Sequence, residues 1–256
     1  MGNPLRYFNG DSTWNLTWKY GRYLSAASDG TDSISYTYDA DGIRQTKTVN
    51  GTEHEYVTLD GKVVRETYGT TTVDYFYDNE GKPYKISVDW GGTVYTGYYA
   101  LNQQGDVIAI LNDSGAAVVR YSYNGWGYET GHTTSTVTGL RLYQYNCLKY
   151  RGYYHDTETG FYYLGSRYYD PVIGRFISPD TTDVLTAEHQ NFNQYNLYAY
   201  CFNNPVNMQD ESGAWPSWAT KAAVAVGAVL CVAAVTVLTC GVGTATLAGA
   251  VAVGAA

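Results

Sequence analysis

The chain has 256 residues, enough for one large β domain or two smaller ones. Only 16% of them are charged and the formal net charge is −8. With no basic run anywhere, that excludes a nucleic-acid footprint, which takes clustered Lys and Arg to neutralise phosphates.

Tyrosine dominates the aromatics, with 28 copies against 6 Trp and 6 Phe. That fits a mainly β protein whose half-buried rings pack on a pleated surface and turn a hydroxyl to water. In chain order, residues 1–7 hold neither a basic leader nor an apolar core, so they encode no signal peptide. A repeat follows. Tyr36-Thr37-Tyr38-Asp39-Ala40-Asp41-Gly42 recurs as Tyr75-Phe76-Tyr77-Asp78-Asn79-Glu80-Gly81 and, degenerate, as Tyr121-Ser122-Tyr123-Asn124-Gly125-Trp126-Gly127. Tyrosines at i and i+2 share one strand face, and the Asp or Asn then opens a turn that closes on Gly. Ile43–Lys47 and Val107–Leu111 read as return strands, and Asp60-Gly61 and Asp113-Ser114-Gly115 as further hairpin turns. Single hairpins cannot bury a face alone, so these units must stack.

Between Tyr150 and Asp180 lie three tyrosine pairs, Tyr153-Tyr154, Tyr162-Tyr163 and Tyr168-Tyr169, with turn residues over Asp156–Gly160 and Pro171–Gly174. The spacing predicts three short strands and two turns, each pair placing one ring on either face. Thr181–Gln194 is polar, with a short helix expected over Thr186–His189. From Ala222 to Ala256 no residue is charged. That is long enough for a membrane span of about 20 residues, although Gly241-Val242-Gly243 interrupts it and a buried helical hairpin is an equal reading. The cysteines (Cys147, Cys201, Cys231, Cys240) and histidines (His54, His132, His155, His189) show no disulfide-framework or zinc-ligand spacing. Free thiols, no metal and no cofactor are expected.

The stretch Tyr150–Asp180, continued by Asn196-Leu197-Tyr198-Ala199-Tyr200, Asn203-Asn204-Pro205-Val206-Asn207 and Asp210-Glu211-Ser212-Gly213, resembles the core of the Rhs (rearrangement hot spot) or YD-repeat family. The resemblance implies stacked β-hairpin YD repeats over residues 1–140, forming an arc of a spiral β-shell. An Rhs repeat-associated core over 141–215 closes it, and an apolar pre-toxin segment follows over 216–256. On this view Gly2-Asn3-Pro4 is the end of a repeat whose first half is missing, and the chain stops inside its apolar segment.

The same resemblance implies a polymorphic toxin of a bacterium, secreted or on the cell surface, whose shell encloses a C-terminal toxin and cuts its own chain after the core. Two carboxylates that cannot both ionise would supply an acid and a base. The implied candidates are Asp156 and Asp170, with Arg167 and Arg175 to orient them and Asp180 in reserve. The cleavage element falls at Asp210, Gly213, Ala214 and Trp215, with Glu211 where the family usually has Pro and Ala214 where a larger residue is common. Each of these residues also has a purely structural use, Asp as a turn cap and Arg as an ion-pair and stacking partner. Expected partners are the toxin segment of the same polypeptide and a target membrane through 222–256. Two other readings stand beside this one: a cell-surface glycan-binding module using Tyr98, Tyr99 or Trp126, and an inert structural remnant.

Overall fold

The computed structural model of the chain describes residues 2–180, 196–210 and 212–214. Met1–Trp215 is one compact unit and Pro216–Ala256 another. The helix expected at 186–189, Trp215 and the apolar stretch 222–256 lie outside the described residues.

Thirteen strands, from β1 (Arg6–Phe8) to β13 (Glu129–Thr134), form one sheet in which each pairs with its neighbours in sequence. Period-two alternation sets the inner face. β2 (Thr13–Lys19) buries Trp14 and Leu16, β4 (Ser33–Tyr38) buries Ile34 and Tyr36, and β8 (Thr71–Tyr77) and β9 (Pro83–Trp90) bury Val73, Tyr75, Ile86 and Val88.

The turn after each Tyr-x-Tyr unit is closed by its Asx side chain. Oδ1 of Asp39 accepts from the amides of Asp41 and Ile43 at 3.0 and 2.9 Å, and Asp78 and Asn124 do the same two and four residues on. Asn102 and Asn112 repeat the device. The second tyrosine sits at a bulge, between Thr37 and Tyr38, Phe76 and Tyr77, and Ser122 and Tyr123. The hydroxyls of these tyrosines donate to carbonyls of the preceding hairpin: Tyr38 to Leu24 at 2.7 Å, Tyr77 to Val63 at 2.9 Å and Tyr123 to Val107 at 3.0 Å.

Helix α1 (Val137–Tyr145) lies on the sheet. Thr136 caps it, its side chain accepting from the Gly139 amide at 2.9 Å, and Leu142 is buried. Gly139 runs so close to the Val118 carbonyl that a Cβ would collide with backbone.

The tyrosine-pair segment forms a second sheet, β14 (Tyr154–Asp156), β15 (Phe161–Tyr163), β16 (Tyr168–Asp170) and β17 (Arg175–Phe176). This is four strands rather than three. The extra reversal runs through Leu164–Arg167, where the Leu164 amide donates to the Arg167 carbonyl at 3.0 Å and Gly165 has φ +81°. The register places Tyr154, Asp156, Phe161, Tyr163, Tyr168 and Asp170 on one face and His155, Tyr162, Tyr169 and Phe176 on the other. The first face packs into the cores of the large sheet, and the second is covered by Tyr150, Tyr153, Tyr200 and Trp126. With both faces covered, both rings of every pair are buried.

Candidate functional site

The candidate carboxyls fall into three separate surroundings. Asp156, fully buried at the end of β14, meets two cations from β5 (Arg44–Val49): Arg44 Nη1 at 2.6 Å and Lys47 Nζ at 3.2 Å. Lys47 also pairs with Glu158 at 2.9 Å, and the Arg44 guanidinium lies over the rings of Tyr163 and Tyr56. Burial pushes the Asp156 carboxyl up, but Arg44 and Lys47 outweigh it and hold it below the usual carboxylate range. An always-ionised carboxylate in a cation cage is an ion-pair partner, poorly suited to hold a proton for catalysis. It ties the small sheet to the large one.

Asp170 accepts from the Tyr7 hydroxyl at 2.6 Å and from the Val172 amide at 2.7 Å. Burial raises it, and those bonds oppose the rise. Extending the register sets Phe161 level with both Asp156 and Asp170. The two aspartates therefore stand two strands apart, about 10 Å between backbones, and do not form a dyad. Arg175 faces Asp170 across the β16–β17 turn and is exposed.

The third cluster brings together residues far apart in sequence. Arg167, just before β16, is buried; its Nη2 lies 2.8 Å from Asp180 and 3.7 Å from Asp210. Its Nη1 donates to the Leu197 carbonyl at 3.0 Å, and its Nε donates to the Gly213 carbonyl. The Asp180 amide also reaches the Leu197 carbonyl, at 3.0 Å. Asp210 is buried, and burial pushes its carboxyl up to about 7 against the opposing pull of Arg167. Its Oδ1 accepts from the Ser212 amide at 3.3 Å, and its own amide donates to the Tyr153 hydroxyl at 3.2 Å. One guanidinium thus holds two carboxyls and the carbonyl of residue 213.

Of the expected residues, Arg167, Asp180, Asp210 and Gly213 meet here; Asp156, Asp170 and Arg175 do not. Ala214 adjoins the cluster, its amide donating to Ser212 Oγ at 3.3 Å. The sequence marked Asp210 only as part of the cut element, and nothing local reveals that burial raises its carboxyl. Arg44, Lys47 and Tyr7 went unnoticed because their partners are more than 100 residues away.

The three rings named for glycan binding have different surroundings. Tyr99 is buried with its hydroxyl on Asn146 Oδ1 at 2.6 Å, Tyr98 is exposed on the opposite face, and Trp126 packs beneath Gly174 against the second core. Among the described residues no His, Cys, Asp and Glu side chains gather to hold a metal, and no helix is long and apolar enough to cross a membrane.

A sheet of sequential antiparallel hairpins closed by a tyrosine-rich second sheet defines a YD-repeat β-shell segment. The family model for the teneurin YD-shell matches residues 86–206. The chain is 36% identical over 213 residues to the tRNA3(Ser)-specific nuclease WapA of Bacillus spizizenii, across 80% of this chain and 9% of that protein. It is 23% identical to human teneurin-4 over 82% of this chain and 7% of the relative. A crystal structure of TcdB2–TccC3–Cdc42 superposes with a TM-score of 0.65 at 22% identity, covering 83% of this chain and 10% of the other, and shares the fold. The chain belongs to the Rhs/YD-repeat family. It spans less than a tenth of the length of these curated relatives.

Proposed function

We propose that this segment is the closing part of the shell of an exported Rhs-family polymorphic toxin, enclosing and presenting a toxin segment of the same polypeptide, and that it cuts its own chain after the core. The single observation that carries the cutting is the grip of Arg167 on Asp180, Asp210 and the Gly213 carbonyl together.

In this reading the Gly213–Ala214 bond is hydrolysed. Arg167 polarises the Gly213 carbonyl and will stabilise the oxygen as it gains charge. Asp180, paired with the guanidinium at 2.8 Å, is the base. Asp210, raised to about 7, keeps a proton near neutrality and is the acid. Water forms the new bond to the Gly213 carbonyl carbon and gives one proton to Asp180. The bond to the Ala214 nitrogen breaks, and that nitrogen takes the proton of Asp210. The products are a carboxyl at Gly213 and an amine at Ala214.

The test is the intact mass of the chain over time, beside Asp180→Asn and Asp210→Asn. Self-cleavage predicts a fragment ending at Gly213 in the parent and whole chains in both variants. A parent that folds and stays whole removes the reading.

A further inference from the structure

The segment to be cut is also held by Ser166, a residue that the reaction scheme does not use. The Ser166 amide and the Ser166 Oγ both donate to the Ser212 carbonyl oxygen, at 3.1 and 2.9 Å. Two donors from one residue on one carbonyl fix the rotation of a peptide plane more tightly than either could alone.

The next residue has room for nothing but hydrogen. Gly213 has φ +66°, and a Cβ there would stand 2.9 Å from the Leu164 carbonyl oxygen, 3.0 Å from Leu164 Cβ and 3.1 Å from Ser166 Oγ. The left-handed backbone turns the Gly213 carbonyl toward Arg167, which follows Ser166 directly. Adjacent residues of one loop therefore hold adjacent carbonyls of the cut segment.

We infer that Ser166 is a positioning residue that sets which bond is cut, holding the Ser212 carbonyl so that the Gly213 carbonyl, in a glycine-only seat, falls on Arg167. The inference rests on the self-cleavage reading and adds its specificity: the loop accepts a peptide with glycine on the N-terminal side of the bond and selects it by backbone shape. Ser166 itself contacts neither carboxyl among the bonds described, so its effect passes through the substrate.

The experiment compares the full chain with its Ser166→Ala and Ser166→Thr variants. Three readouts are taken: the rate of self-cleavage against pH, the mass of the product, and the protection of residues 212–214 from an added protease. Loss of one neutral hydrogen bond should slow Ser166→Ala about tenfold. It should add a product cut one residue away and open the segment to protease, while the pH midpoint set by Asp210 stays where it is. Ser166→Thr keeps the hydroxyl and should restore a single cut at the parent site. Equal rate, mass and protection in Ser166→Ala would overturn the inference with self-cleavage intact. A parent that never cuts, but whose segment is opened by Ser166→Ala and re-closed by Ser166→Thr, removes the hydrolytic reading and keeps the seat. An uncut parent with protection unchanged by either variant overturns both.

Discussion

Asp156 and Asp210 are both buried carboxyls, and their surroundings push them in opposite directions. Asp156 is depressed by Arg44 and Lys47, so its contribution to stability is present above its unfolded value of about 3.9 and is lost as pH falls through the lower folded value. Glu66, held down against burial by His54, Lys47 and Tyr154, behaves alike. A urea titration should therefore show a midpoint that drops in acid below about pH 4. Asp156→Asn leaves Arg44 buried without its carboxylate and Lys47 with Glu158 alone, and should cost about 3–5 kcal/mol in the same assay. Asp210 is raised, so its protonated form favours the fold and that contribution fades as pH rises through about 7. The cutting rate should follow, level below pH 7 and falling roughly tenfold per unit above it. A flat profile across pH 5 to 9 would remove Asp210 from the acid role.

At the scale of the element, the repeat unit has a physical meaning. The Asx residue closes the turn, and the second tyrosine fastens each hairpin to the one before it. Tyr77→Phe removes the hydroxyl that bonds the Val63 carbonyl and should lower stability by about 1 kcal/mol, measured by denaturant midpoint. Thr136→Ala should cost a similar amount through loss of the α1 cap. These hairpins were legible in the sequence because every signal lies within a few residues: alternation, then Asx, then Gly. The fourth strand of the small sheet was not. Arg175-Phe176 is too short to show a period, and Gly165-Ser166 hides a reversal between two tyrosine pairs. The candidate site was half legible. Arg167, Asp180 and Asp210 stood in recognisable motifs, but their meeting depends on how the chain returns through Leu197 and Gly213. The cations around Asp156 were not legible because Arg44 and Lys47 come from a strand 112 and 109 residues earlier.

For the molecule as a whole, the two sheets share their cores. Tyr154 packs with Tyr56 and Val73, and Phe161, Tyr163 and Tyr168 pack with Trp14 and Ile34. The small sheet has no face free of them or of the Tyr150–Tyr200 cluster. Amide exchange should therefore show β14 to β16 opening only with the central strands of the large sheet, while β1 and β13, each with an unpaired edge among the described residues, exchange earlier.

The strand order β1 to β13 without a crossover bears on how the chain is made. Each hairpin can form as soon as it leaves the ribosome, since its partner has just preceded it, and contacts of low sequence separation close fastest. The small sheet is the reverse: Tyr7 waits for Asp170 and Arg44 for Asp156, 163 and 112 residues later. Arg167 waits in turn for Asp180, Asp210 and Gly213, so their grip assembles only after all the strands of the large sheet have been made. A chain stalled before residue 180 would hold its large sheet without the Arg167 cluster, so the cluster forms only once Leu197, Asp210 and Gly213 have joined those strands.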